Sequence, residues 1–122
     1  LLFIDLIVIL IHIIYKIINY KIKGNHIEIN RIFFTKNIPF SKIKKVEHKP
    51  NIMANSVRTF GVGGMFVRLG NFKNKKLGYY KAYATNDTNA VLIELKNDKD
   101  VVISPEQPEN FVEEVKNRLL KN

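Results

Sequence analysis

VVISPEQPENFVEEV, Val101 to Val115, holds the change from strand to helix on which the reading of this chain turns. Three apolar residues are followed by Ser104-Pro105-Glu106-Gln107, a capping serine, a proline at the first helical position and a glutamine three residues after the cap. Pro108 still fits a first turn. Phe111, Val112, Val115 and Leu119 then recur at helical spacing. Glu109, Glu113 and Glu114 come early and Lys116, Arg118 and Lys121 late, as the helix dipole favours. The spacing predicts an amphipathic helix over about 106–120, and its apolar stripe must cover something.

Upstream the period is two. Val101 to Ile103, Ala90 to Lys96 and Gly78 to Thr85 read as strands separated by the polar turns Asn97-Asp98-Lys99-Asp100 and Asn86-Asp87-Thr88-Asn89. Met65, Val67 and Leu69 alternate along another strand, and Ser41 to Glu47 gives one with Ile43 and Val46 inward. Ile32 to Lys36 forms a run that Pro39 interrupts. Tyr20 to Lys23 and His26 to Asn30 flank Gly24-Asn25, the pattern of a tight hairpin. The fold expected is mainly β, an antiparallel barrel of about seven strands over 20–103 whose open end is plugged by one C-terminal α-helix.

The runs IPFSKIKKVE (Ile38 to Glu47), RTFGVGG (Arg58 to Gly64), GNFKNKKLGYYKAYAT (Gly70 to Thr85) and VVISPEQPENFVEEV occur in an order that resembles the bacterial pleckstrin-homology (PH) domain family, of the membrane-tethered type. The resemblance covers about 20 to 120. It implies a PH-like fold, a place beside membrane helices and no known catalytic activity, and it fixes no ligand.

Residues 1–18, LLFIDLIVILIHIIYKII, contain 15 apolar or aromatic residues at every angle around a helix axis. A helix of that length rises about 27 Å, nearly the thickness of a hydrocarbon core. The expectation is a transmembrane anchor over 1–18 followed by a PH-like domain over 19–122. Asp5, His12 and Lys16 fall on one stripe of that helix; Asp5 and Lys16 are read as snorkelling toward the two interfaces. Lys16, Lys21 and Lys23 flank its C-terminal end, which predicts a location in the cell membrane with the domain on the cytoplasmic side.

The chain has 122 residues, carries 20 Lys plus Arg against 11 Asp plus Glu and contains no cysteine. Disulfide frameworks, thiolate catalysis and Cys-ligated zinc are thereby excluded. Counting from the sequence, residues 19–50 and 51–85 each carry +6, whereas 86–122 carry −3. Residues 51–85 hold six basic side chains and no acidic one.

Against that field the candidate sites are few. Lys73, Lys75 and Lys76, with Lys16, Lys21 and Lys23, are read as a surface that attracts anionic lipid without headgroup preference, each nearby lysine being worth about 1 kcal/mol. Gly61-Val62-Gly63-Gly64 matches neither nucleotide-binding pattern and reads as a turn between strands. Arg58 and Arg68 flank this loop and form, with Gly61, Gly63 and Gly64, a candidate anion or partner site. Tyr79 and Tyr83 are candidates for a protein-partner surface. His12, His26 and His48 share no metal spacing, no serine lies in a nucleophile motif, and carboxylates are sparse before residue 86. No cofactor, metal or catalytic group is expected. The leading functional expectation is a non-enzymatic interaction module for protein partners and the acidic membrane surface, with a homo-oligomer left open. The alternative is a basic soluble or peripheral nucleic-acid-binding β-domain.

Overall fold

The computed structural model describes residues 2–17, 19–30, 35–63 and 68–121. Helix α1 (Leu2–Ile17) leads into a three-stranded antiparallel sheet, β1 (Asn19–Ile22), β2 (His26–Asn30) and β3 (Thr35–Pro39). The alternation read in the sequence governs this sheet: Ile27, Ile29 and Ile38 are buried, while Tyr20 and Ile22 pack against them from β1. Three residues, Lys23 to Asn25, separate β1 from β2, and Lys23 N–H closes the turn on the His26 carbonyl at 2.9 Å. The third strand lies later than expected and runs through Pro39; of the run Ile32 to Lys36, residues 32–34 lie outside the described residues. A proline is tolerated there because it ends a strand that has one neighbour among the described residues.

A 3₁₀ turn at Phe40–Lys42 passes the chain to a six-stranded sheet. Its strands are β4 (Ile43–His48), β5 (Val57–Gly63), β6 (Arg68–Asn74), β7 (Gly78–Ala84), β8 (Val91–Leu95) and β9 (Asp100–Ile103), in the order β4-β8-β9-β7-β6-β5. Ile43 and Val46 are both buried although three residues apart, because a register shift between Ile43 and Lys45 reverses the alternation. The expectation of a wholly antiparallel barrel of about seven strands is corrected to nine strands in two sheets among the described residues, with one parallel pair there, β7 with β9. The β8–β9 hairpin places β9 between β8 and β7, a long-range pairing that no local pattern encodes. Of the strand expected around Met65, Val67 and Leu69, only Leu69 is described, within β6.

At β8 and β9 both faces of the larger sheet are apolar, which explains why these strands read Val91-Leu92-Ile93 and Val101-Val102-Ile103 without alternation. On the inner face, Val46, Tyr83, Val91, Ile93, Val101 and Ile103 meet the small sheet and the second helix, α2 (Pro108–Lys121). On the outer face, Phe72, Tyr80, Ala82, Leu92 and Val102 are covered by Met53 and Ile52 from the segment 49–56. Asn51 and Asn55 take positive φ there, as asparagine does in tight turns. Polar bonds latch the segment down: Arg68 Nη1 donates to the Met53 carbonyl at 2.7 Å, Asn74 Nδ2 donates to that of Ile52 at 2.8 Å, and Met53 N–H donates to Asp87 Oδ1 at 3.3 Å.

Helix α2 buries Phe111, Val112 and Val115 as the stripe predicted. It starts at Pro108, so Ser104 is not its cap. The Ser104 hydroxyl instead accepts from Thr85 N–H at 2.8 Å and Asn86 N–H at 3.3 Å, satisfying backbone donors where β7 ends. At the other end, Arg118 donates to the Lys23 carbonyl at 2.8 Å and ties α2 to the first hairpin.

Helix α1 differs from all of this. Its apolar residues from Leu2 (85% exposed) to Leu10 (49%) are uncovered. Sixteen residues rise about 24 Å, and no helix among the described residues is long and apolar enough to cross a membrane. The transmembrane expectation for 1–18 is not supported by the helix as described.

Candidate functional site

The junction between α1 and the sheets is polar. Tyr20, in the first strand after α1, donates its hydroxyl to the Tyr83 carbonyl and accepts from Ser104 N–H at 3.3 Å. Burial pushes its phenol above the ordinary tyrosine value, and the bonds to Ser104 oppose that shift only in part. A pocket of about 490 Å³ opens beside this contact, lined by Asn19, Tyr20, Asn86, Asn89, Ser104 and Glu106 among others. One carboxylate among neutral amides and hydroxyls makes this a hydrogen-bonding surface with little charge. Sequence reasoning missed it because its members come from three distant segments, and Ser104 was read as a helix cap.

The lysines lie elsewhere. Lys16 stands in the last turn of α1, and Lys21 is exposed on β1 opposite Glu28. Lys23 is exposed at the distal end of the first hairpin, about 13 Å along the strand from Asn19. Lys75 and Lys76 are exposed in the turn joining β6 to β7, and Lys73 is exposed at the end of β6. Gly78, where β7 begins, is five residues from Tyr83, so this turn lies about 17 Å along β7 from the Tyr20–Tyr83 contact. The six lysines therefore do not form one surface.

Arg58 and Arg68 also separate. Arg58 pairs with Phe72 and is exposed; Arg68 pairs with Gly63 and spends its guanidinium on the Met53 carbonyl. Four residues of β6, about 13 Å, lie between these rungs. Gly61 and Gly63 are ladder residues of β5, opposite Gly70 and Arg68, which corrects the turn reading. Gly64 lies outside the described residues. Gly70, at φ 121°, occupies a conformation that only glycine adopts readily.

The two candidate partner tyrosines have opposite fates. Tyr83 is 6% exposed and belongs to the core, which corrects its reading as surface; Tyr79 is 55% exposed. Lys73 Nζ lies 4.8 Å from the centroid of the Tyr79 ring, a cation–π contact that holds both side chains at the surface. Val57, Lys73 and Tyr79 are paired across β5, β6 and β7 and so share one face; Asn71 and Lys81 form the next described rung of β6 and β7. Together these residues make an uncovered ledge that continues the inner face beyond Leu69 and Tyr83.

A third feature is a groove of about 640 Å³ between the end of β4 and α2, where His48 meets Val112 and Lys116. His48 Nε2 donates to the Thr88 carbonyl at 3.1 Å, and its Nδ1 is 3.9 Å from Glu109 Oε1. Glu47 is held below the usual carboxylate range by bonds from Lys45 and Lys49. Among the described residues, no group of three His, Asp or Glu side chains could hold a metal.

Two sheets around a common core, closed by one C-terminal amphipathic helix, are the frame in which these features sit, and a sequence profile for the Bacterial PH domain matches residues 18–119. The chain belongs to that family. The match begins at the α1–β1 junction and ends within α2, so the PH domain includes both sheets, the polar pocket and the basic ledge. No curated protein and no solved structure matches the chain.

Proposed function

We propose that the chain is a non-catalytic interaction module, tethered to the cell membrane through α1, with the PH domain on the cytoplasmic side. The observation that carries the reading is the bare apolar surface of α1: Leu2, Phe3, Ile4 and Leu6 to Leu10 are all exposed, at consecutive angles around the axis. Such a surface is stable only in an apolar surrounding. A helix of about 24 Å is about 6 Å short of the hydrocarbon thickness, a mismatch that local bilayer thinning accommodates at a fraction of a kcal/mol per Å. Lys16 and Lys21 follow within reach of an acidic leaflet, and basic residues at this end favour a cytoplasmic domain. Lys73, Lys75 and Lys76 lie well beyond a Debye length of about 8 Å from that end, which frees them for a partner other than lipid.

Membrane sedimentation tests the tether. The whole chain is expected to pellet with membranes and to stay there through high salt and alkaline carbonate, whereas a chain beginning at Asn19 stays in the supernatant. Release of most of the whole chain by carbonate would contradict the reading.

A further inference from the structure

We propose that the ledge of β5, β6 and β7 takes an acidic polypeptide segment, added in extended form along the edge of β5 that has no partner strand among the described residues. The inference rests on the reading of the domain as an interaction module and is independent of the tether.

Three observations converge. First, β5 is the outermost strand of its sheet among the described residues, and seven residues of it pair with β6. An outer strand presents unpaired N–H and C=O groups, a template for another strand. At the start of that strand Val57 (67% exposed), Arg58 and Thr59 are open to water.

Second, the ledge is basic and lacks nearby counter-charges. Among the described residues no ion pair within 4.0 Å engages Lys73, Lys75, Lys76 or Lys81. Lys36, on the neighbouring sheet, lies 5.6 Å from the centroid of the Tyr83 ring, where the ledge meets the core. Asp98, in the turn before β9, is held below its ordinary range first by the Lys99 N–H at 2.7 Å and then by the field of Lys81, Lys36 and Lys42. An added strand would lie two inter-strand spacings of about 4.8 Å from Lys73, a gap that a glutamate and a lysine side chain close between them.

Third, the surface suits a polypeptide better than a nucleic acid. Among the residues whose exposure is described, Tyr79 is the exposed aromatic of the ledge, whereas single-strand binders array several for stacking. A row of backbone amides and carbonyls along β5 also has no counterpart in a sugar-phosphate chain.

The test uses the whole chain in phosphatidylcholine nanodiscs and a fluorescent peptide of about ten residues alternating Glu and Val, long enough to span an edge strand. Saturable binding is expected, with slowed amide exchange along Val57–Gly63. The paired change Lys73→Glu and Lys81→Glu, at exposed or half-exposed positions, should weaken it by about tenfold or more. A peptide of the same charge with alternate amides methylated should lose binding, since its ladder bonds are gone. Equal binding of the methylated peptide, tighter binding of a thymidine oligonucleotide of equal charge, or no binding of the Glu-Val peptide would each overturn the proposal. A chain that fails the carbonate test yet binds the peptide contradicts the tether alone; one that pellets yet ignores the peptide contradicts the ledge alone.

Discussion

On the inner face of the six-stranded sheet, β8 and β9 present Val91, Ile93, Val101 and Ile103, all buried, while on β5, β6 and β7 Val57, Lys73 and Tyr79 stand in water. The strand geometry is common to both halves. What differs is the cover: the three-stranded sheet and α2 reach across β4, β8 and β9 and as far as Tyr83 on β7 and Leu69 on β6. Within the covered half, side chains are aliphatic and lack alternation because the outer face is closed by Met53 as well. Beyond its edge the same face becomes lysine, asparagine and a tyrosine used for a cation–π contact. If the ledge binds as proposed, stability and binding fall to different halves of one sheet.

Substitutions should expose that division. Phe111→Ala removes a ring of α2 from the covered half and should cost about 3–5 kcal/mol in denaturant unfolding. Tyr79→Ala, on the ledge, should cost less than about 1 kcal/mol. Comparable costs at the two positions would break the comparison.

Tyr20 lies at the boundary, where the small sheet meets β7 and β9. Tyr20→Phe leaves Ser104 N–H without its hydroxyl partner and should cost about 1–3 kcal/mol. The phenol's folded value is raised by burial, so its contribution is fully present below the ordinary tyrosine value of about 10 and is lost as pH rises through the folded value. Unfolding measured across pH 9–12 should therefore show a steeper alkaline loss in the wild type than in Tyr20→Phe. Tyr80, also raised by burial with Ser56 opposing, keeps part of the slope in the variant. Parallel alkaline slopes would place the Tyr20 hydroxyl in water.

Much of the covered half was legible in the sequence, and the ledge was not. Ile27 and Ile29 on the first hairpin, and Phe111 and Val115 on α2, face one way because period two and period 3.6 translate directly into a buried face. Strand β5 was missed because an outer strand needs no apolar alternation, and Gly61 and Gly63 resemble a turn when only local chemistry is considered. Tyr79 and Tyr83 share a face, and their difference depends on how far another sheet extends, a fact absent from their neighbourhood in the chain. Ser104 carries a genuine capping pattern, yet the Thr85 and Asn86 amides compete for its hydroxyl and hold it. The lysines could be counted but not placed, since the end of the sheet each occupies is set by topology.

Backbone amide exchange on the whole chain tests the division most directly. Amides of Val91–Ile93 and Val101–Ile103 should open only with global unfolding, whereas those of Val57–Gly63 that face the free edge should exchange far faster. Protection of the β5 edge equal to that of β8 and β9 would contradict the account, because it would mean that the ledge is closed in the free protein.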